Sequence, residues 1–208
     1  GGSIEDESVR EMIQKRELFP CFFGSALKME GIEELLFALS EYTKMPEYQE
    51  KFGATVFKIT RDAQGSRLTH LKVTGGVLKA RNLLTGHKQN KPEDIWEEKV
   101  NQIRIYSGEK YETKDEVEAG TICAVTGLSY TYPGEGLGIQ TESELPILEP
   151  VLTYELILPE GVQPQAMMPK LTMLEEEDPE LHIVWNEQLQ EIKIQIMGEV
   201  QIEILKAL

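Results

Sequence analysis

His70, His87 and His182, the acid run Glu175-Glu176-Glu177-Asp178, and the cations Lys72, Lys79 and Arg81 are the side chains in this sequence best suited to chemistry. The three histidines stand far apart, with no Cys or carboxylate neighbour at ligand spacing. They predict surface or half-buried rings and no metal site. Four acids at the end of a helical pattern oppose the helix dipole, so residues 175–178 read most simply as a solvated helix end that frays or faces a basic protein. Lys72, Lys79 and Arg81 are the candidates for contact with RNA phosphate, residues 72, 74 and 76 sharing one face of an alternating strand. The chain carries no G-x-x-x-x-G-K-[S/T] phosphate cradle, no Asp-x-x-Gly read as a magnesium loop and no Asn-Lys-x-Asp base reader. Nothing is therefore in place to hold or stabilise a transferring phosphoryl group. No Ser-His-Asp or Cys-His arrangement is assigned, and no catalytic residue.

Charge sharpens the choice among the cations. The 208 residues carry a net charge of -15, which by itself argues against nucleic acid. The distribution is uneven: residues 1–50 have net charge -6, residues 51–145 have 0, and residues 146–208 have -9. Thirteen of the 21 basic residues fall in the middle segment, so any contact with RNA phosphate belongs there. The sequence is 40% hydrophobic and 27% charged, an ordinary globular balance. No run approaches the ~18 apolar residues of a membrane helix. No basic stretch followed by an apolar one opens the chain, so a cytoplasmic protein without a membrane partner is expected. Cys21 and Cys123 sit in apolar, strand-like runs and predict two buried, reduced thiols. Gly1-Gly2-Ser3 reads as an expression remnant and is set aside.

The elements that must position these residues fall into three segments. In residues 1–47, Val9, Met12 and Ile13 form a helical stripe, and Leu18–Phe23 is a short apolar run closed by Gly24, as in a buried parallel strand. Ile32, Leu35, Leu36 and Leu39 then repeat at i, i+3, i+4, i+7, a second amphipathic helix. Such an α-β-α piece cannot close a core alone and predicts part of a larger α/β domain. In residues 48–145, apolar residues alternate through Val56–Ile59, Leu68–Val73, Val77–Leu78, Val100–Ile105 and Ile122–Val125, with glycine turns between them. That pattern predicts a β-barrel, whose closure would remove exposed edges. After the boundary marked by Pro146 and Pro150, residues 146–208 read strand, helix, strand, strand, helix. The helix carries Pro164 in its first turn and Pro169 inside. One more strand would complete a split βαβ sandwich. The fold class expected is multidomain and mostly β: an α/β remnant, a barrel, and a truncated βαββα sandwich.

Three stretches, in this order, resemble elongation factor G and its relatives. Phe23-Gly24-Ser25-Ala26-Leu27-Lys28, between an apolar run and an amphipathic helix, resembles the last guanine-nucleotide motif of translational GTPases. The runs Leu68–Lys79, Glu98–Ile103 and Ala119–Leu128 are similar to the second domain of these factors. Asp178-Pro179 followed by two strands and Met197-Gly198-Glu199-Val200-Gln201-Ile202-Glu203 looks like the strand-to-helix junction of the third. Gln201 stands where elongation factor G usually has histidine, and the Val200-Gln201 pair resembles the tetracycline-resistance ribosomal protection proteins.

The resemblance implies that residues 1–47 end a GTPase domain, with Ser25, Ala26 and Leu27 reading the guanine base through their backbone. It implies GTP and Mg as ligands of the complete protein, with no cofactor bound by these residues alone. It also implies the ribosome as partner, with small-subunit ribosomal RNA at the barrel and a ribosomal protein at the third domain. The leading expectation is a fragment of a ribosomal-protection-like factor. A divergent elongation factor G in translocation is the near alternative, and a non-GTPase barrel binding module is the alternative from another class. A small enzyme with its site in the barrel finds no cluster of titratable residues. The segment is expected to be a monomer, or a dimer induced by truncation through an open sheet edge.

Overall fold

A computed structural model describes residues 5–44, 46–89, 91–140, 150–178 and 180–207. Met45, Pro146 and Pro179, used above as boundary or motif residues, lie outside these, as do Gly1-Gly2-Ser3. The chain divides into two compact units, Gly1–Glu47 and Tyr48–Leu208, and strand is its dominant secondary structure.

The first unit has two helices, α1 (Asp6–Gln14) and α2 (Ile32–Tyr42). Arg10 joins them: its Nε donates to the Glu41 carbonyl at 2.9 Å and its guanidinium pairs with the Glu41 carboxylate. The expected strand over Leu18–Phe23 does not form. These residues are irregular and, after half-buried Leu18, exposed, Phe23 at 95%, because no neighbouring strand among the described residues of this unit supplies a ladder for their backbone groups. Cys21 is likewise exposed, against expectation. Ala38 is the one buried side chain among the described residues of this unit.

The second unit begins with β1 (Gly53–Arg61), β2 (Arg67–Gly75), β3 (Val77–Lys79), β4 (Leu83–Lys88) and β5 (Lys91–Lys99). It continues with β6 (Gln102–Ser107), β7 (Lys110–Lys114), β8 (Glu116–Glu118), β9 (Ile122–Thr126) and β10 (Gly136–Gly138). A six-stranded antiparallel sheet, β10-β1-β2-β9-β6-β7, and the pairs β3-β8 and β4-β5 wrap one core. That core draws Val56, Ile59, Leu71, Leu78, Trp96 and Ile103 from strands of all three sheets, and outside the bulge in β1 it follows the strand period of two. The enclosure is barrel-like, but β10 and β7 remain edges of the large sheet, so closure is less complete than the alternation predicts. Gly76 ends β2 with a φ of +56°, where a Cβ would lie 2.6 Å from the Glu50 carbonyl oxygen. Only glycine fits such a close approach without strain.

Buried Cys123 lies on β9, and burial pushes its thiol up to about 12, far from the thiolate form at neutral pH. Native protein treated with iodoacetamide should therefore take one label per chain, at Cys21. The second thiol should become reactive only on unfolding, which intact-mass measurement resolves.

The last segment contains β11 (Leu152–Leu156), α3 (Pro164–Glu177), β12 (His182–Asn186), β13 (Glu191–Ile196) and α4 (Glu199–Ala207). Its sheet has the order β11-β13-β12, all antiparallel. Pro164 opens α3, where its missing N–H costs nothing, while Pro169 is carried inside the helix.

Candidate functional site

The loop between the two helices of the first unit is closed by short bonds. The Ser25 N–H donates to the Glu30 carbonyl at 3.0 Å, and the Glu30 N–H returns to Ser25 at 3.1 Å. Gly24 and Gly31 press together here: a Cβ on Gly24 would stand 2.6 Å from the Glu30 oxygen, and Gly31 has a φ of +76°. Two glycines thus permit a turn too tight for side chains, leaving Ala26 and Leu27 outside it, Leu27 95% exposed.

The three cations lie on two sheets. Lys72 is exposed on β2 between Thr55 and Ile122. Lys79 is exposed on β3 and pairs with Glu116 at 3.0 Å. Arg81 follows β3 in a turn with a φ of +69°. Lys72 and Thr74 share the outward side of β2, between buried Leu71, Val73 and Gly75, while Gly76 lies beyond the strand's end. Thr74 is half-buried with its hydroxyl covered, and Lys72 is the exposed one of the two. Asp62-Ala63-Gln64-Gly65 has the Asp-x-x-Gly spelling, but it is the β1–β2 hairpin turn. Asp62 accepts the Gln64 and Ser66 N–H groups at 3.1 and 2.8 Å and pairs with Arg104 at 2.9 Å. The hydrogen bond from Arg104 foremost holds the Asp62 carboxyl below its usual range.

The histidines are dispersed. His70 Nε2 is 2.7 Å from Thr60 Oγ1, and burial followed by the nearby Lys58 charge lowers the pKa of its ring. His87 Nδ1 donates to the Pro92 carbonyl at 2.7 Å, which fixes that nitrogen as the protonated one. His182 lies 4.0 Å from Glu175, a carboxylate that sequence spacing did not place beside it. No group of three metal-ligating side chains occurs among the described residues.

The acid run at the end of α3 is not a solvated helix end. Glu176 is 2.7 Å from Arg61 and 3.3 Å from Arg67, and Glu177 is 3.6 Å from Arg61. Glu175 accepts the Ile183 N–H at 3.1 Å. Asp178 accepts Gln201 Nε2 at 2.5 Å, while Gln201 Oε1 accepts the Met197 N–H at 2.9 Å. Glu176 and Glu177 thus face cations presented by the β1–β2 hairpin, which offsets their unfavourable position at the helix C-terminus. Arg67 anchors this junction, donating to the Thr131 carbonyl at 2.5 Å, Thr131 Oγ1 at 2.8 Å and the Leu128 carbonyl at 2.9 Å. A cleft of about 560 Å³ lies beside it, between α3 and the Ser129–Pro133 loop.

Comparison with known proteins finds no matching family model. Elongation factor G of Ureaplasma parvum serovar 3 is 28% identical over 99% of this chain and 33% of its own length. Elongation factor G of Amoebophilus asiaticus is 27% identical over 95% of this chain and 31% of its length. The tetracycline resistance protein TetP of Clostridium perfringens is 29% identical over 100% of this chain and 32% of its length. The chain thus spans about a third of the length of the curated relatives it matches. A crystal structure of a Thermus thermophilus protein superposes with a TM-score of 0.73 at 21% identity, covering 96% of this chain and 30% of that one.

Proposed function

We propose that this chain, homologous along nearly its whole length to elongation factor G and to TetP, is the ribosome-docking middle of a translational GTPase. The observation that carries the reading is that 95–100% of the chain aligns with one third of relatives from both groups. In the complete protein, the phosphates of GTP and the Mg would be held by parts outside these residues, since no phosphate cradle occurs in the sequence. Ser25, Ala26 and Leu27 would contribute a tight, backbone-presenting turn to the guanine base. The domains proposed are 1–47, 48–145 and 146–208, acting in the cytoplasm on the small ribosomal subunit. Ribosomal protection is the finer reading, on the Val200-Gln201 pair, with translocation as its alternative. A standalone barrel module has no use for the glycine-tight loop of the first unit.

The RNA-facing cations proposed are Lys72, Lys79 and Arg81. Lys79 is the sharpest probe because it is exposed on a short strand and its partner Glu116 is exposed too. Lys79→Glu in the full-length protein should weaken co-sedimentation with small ribosomal subunits several-fold and flatten its salt dependence, since one phosphate contact is lost. Equal affinity across a salt series would remove Lys79 from the surface. No sedimentation of the unaltered protein would sink the ribosome reading itself.

A further inference from the structure

Outward positions on the six-stranded sheet form a row of rings that the function above does not use. Phe57 on β1, His70 on β2, Tyr106 on β6 and Tyr111 on β7 follow one another with centroid spacings of 6.2, 6.2 and 5.2 Å. The register explains how rings from four strands meet. A β-bulge between Val56 and Lys58 turns both Phe57 and Lys58 outward opposite His70. His70 pairs with Ala124, Ala124 with Arg104, and Tyr106 with Tyr111. Ala124 is the small residue in the middle of the row, and its lack of a long side chain lets the rings on either side approach. Phe57 is 48% exposed and Tyr111 47% exposed, so these rings offer faces to solvent.

Two lysines flank the row. Lys58 flanks Phe57, and Lys72 stands two residues beyond His70 on the same face, beside exposed Ile122. Arg104 lies over the Tyr111 ring at 4.5 Å and is neutralised by Asp62, so it supports the ring. No carboxylate occupies the outward register positions that pair Lys58, His70, Ala124, Arg104 and Thr113, or Thr55, Lys72 and Ile122. The Asp62 carboxylate at the edge of this face is taken up by Arg104, and in a chain with 36 acidic residues the register positions free of them are informative. Spaced rings with adjacent cations suit unpaired bases and their phosphates, since every base has a stacking face. A protein partner would favour a contiguous apolar centre instead.

We propose that this sheet face is a stacking platform for unpaired bases of single-stranded RNA, with Lys58 and Lys72 meeting the phosphates. The proposal rests on the RNA-facing reading of the barrel, but it can be tested without the ribosome. Fluorescence anisotropy of the full 208-residue chain with a short labelled oligoadenylate should give tighter binding to the single strand than to an RNA duplex of equal length. Phe57→Ala and Tyr111→Ala should each weaken that binding by about tenfold, Tyr111→Phe should retain it, and Lys58→Gln should lower its salt slope. Both alanine changes are at half-exposed positions, and a melting curve for each verifies that the fold is kept. Equal affinity for single strand and duplex, or alanine variants that bind like the original, would overturn the platform. Loss of ribosomal-subunit binding in Phe57→Ala, with no oligoadenylate binding by any form, would also overturn it, because the face would then meet protein. Ring-dependent oligoadenylate binding without subunit binding would keep the platform and fail the ribosome reading.

Discussion

Replacing Arg67 by alanine should cost about 3 kcal/mol of stability, the largest loss expected from any charged residue in the chain. Its guanidinium is mostly buried and satisfies the Thr131 and Leu128 carbonyls, the Thr131 hydroxyl and Glu176 together. Truncation leaves the Thr131 and Leu128 carbonyls without this donor and removes one of the two cations facing Glu176. Arg67→Lys should recover little, because an ammonium cannot reproduce the planar fork that reaches acceptors on two elements. Arg61→Ala should cost less, about 1 kcal/mol, since its contacts are confined to Glu176 and Glu177. Urea unfolding with comparable slopes for all variants measures these differences directly. An Arg67→Ala loss no larger than that of Arg61→Ala would mean that the junction with α3 behaves as an ordinary surface ion pair.

The second large effect is a pH dependence carried by Glu135. This residue is 3% exposed on the loop before β10, and its carboxylate accepts Trp96 Nε1 at 3.2 Å and the Tyr132 N–H at 3.3 Å. Its own backbone carbonyl accepts the Val56 N–H at 2.8 Å, so the loop is pinned to β1. Burial pushes the Glu135 carboxyl up to about 7 from an ordinary 4.5, more than its hydrogen bonds pull it down. A folded-state value above the unfolded one means that the folded protein binds the proton more tightly. Stability from this group is therefore full at acidic pH and declines as pH rises from about 4.5 through about 7. Between pH 5 and 8 the decline should approach about 2 kcal/mol. Glu135→Gln keeps the shape without the charge, so it should remove this slope and be more stable than the natural residue at pH 8. Urea midpoints that fall equally with pH in both proteins would rule out Glu135 as the source.

The two effects arise at the same end of the barrel. Glu135 ties the β4–β5 hairpin to the large sheet through Trp96, and Arg67 ties the adjoining Thr131 loop to β2 and α3. A cation and a buried acid thus fix one loop from both sides. That loop also lines the cleft beside α3.

Much of this architecture is written in local periodicity. Alternation determined strands β1, β2 and β9, whose residues Val56, Ile59, Leu71, Val73, Cys123 and Val125 reach one core while Phe57 and Ile122 face outward, because a strand's side-chain period is fixed by its backbone. The order strand, helix, strand, strand, helix in the last segment was legible for the same reason. The β4–β5 hairpin was not: only Leu84 and Trp96 are buried along it, too few to print an alternating pattern. Leu18–Phe23 misled in the opposite direction, since an apolar run becomes a strand only where a neighbour completes its hydrogen bonds. Site chemistry divides in the same way. The turn around Ser25 closes through Gly24 and Gly31, which are near each other in sequence. Tertiary structure decided that the acids of α3 face Arg61 and Arg67, that Glu135 is buried against Trp96, and that rings from four strands share one face. Each joins residues distant in sequence, and the free energy of a charge or a ring depends on what the fold brings beside it.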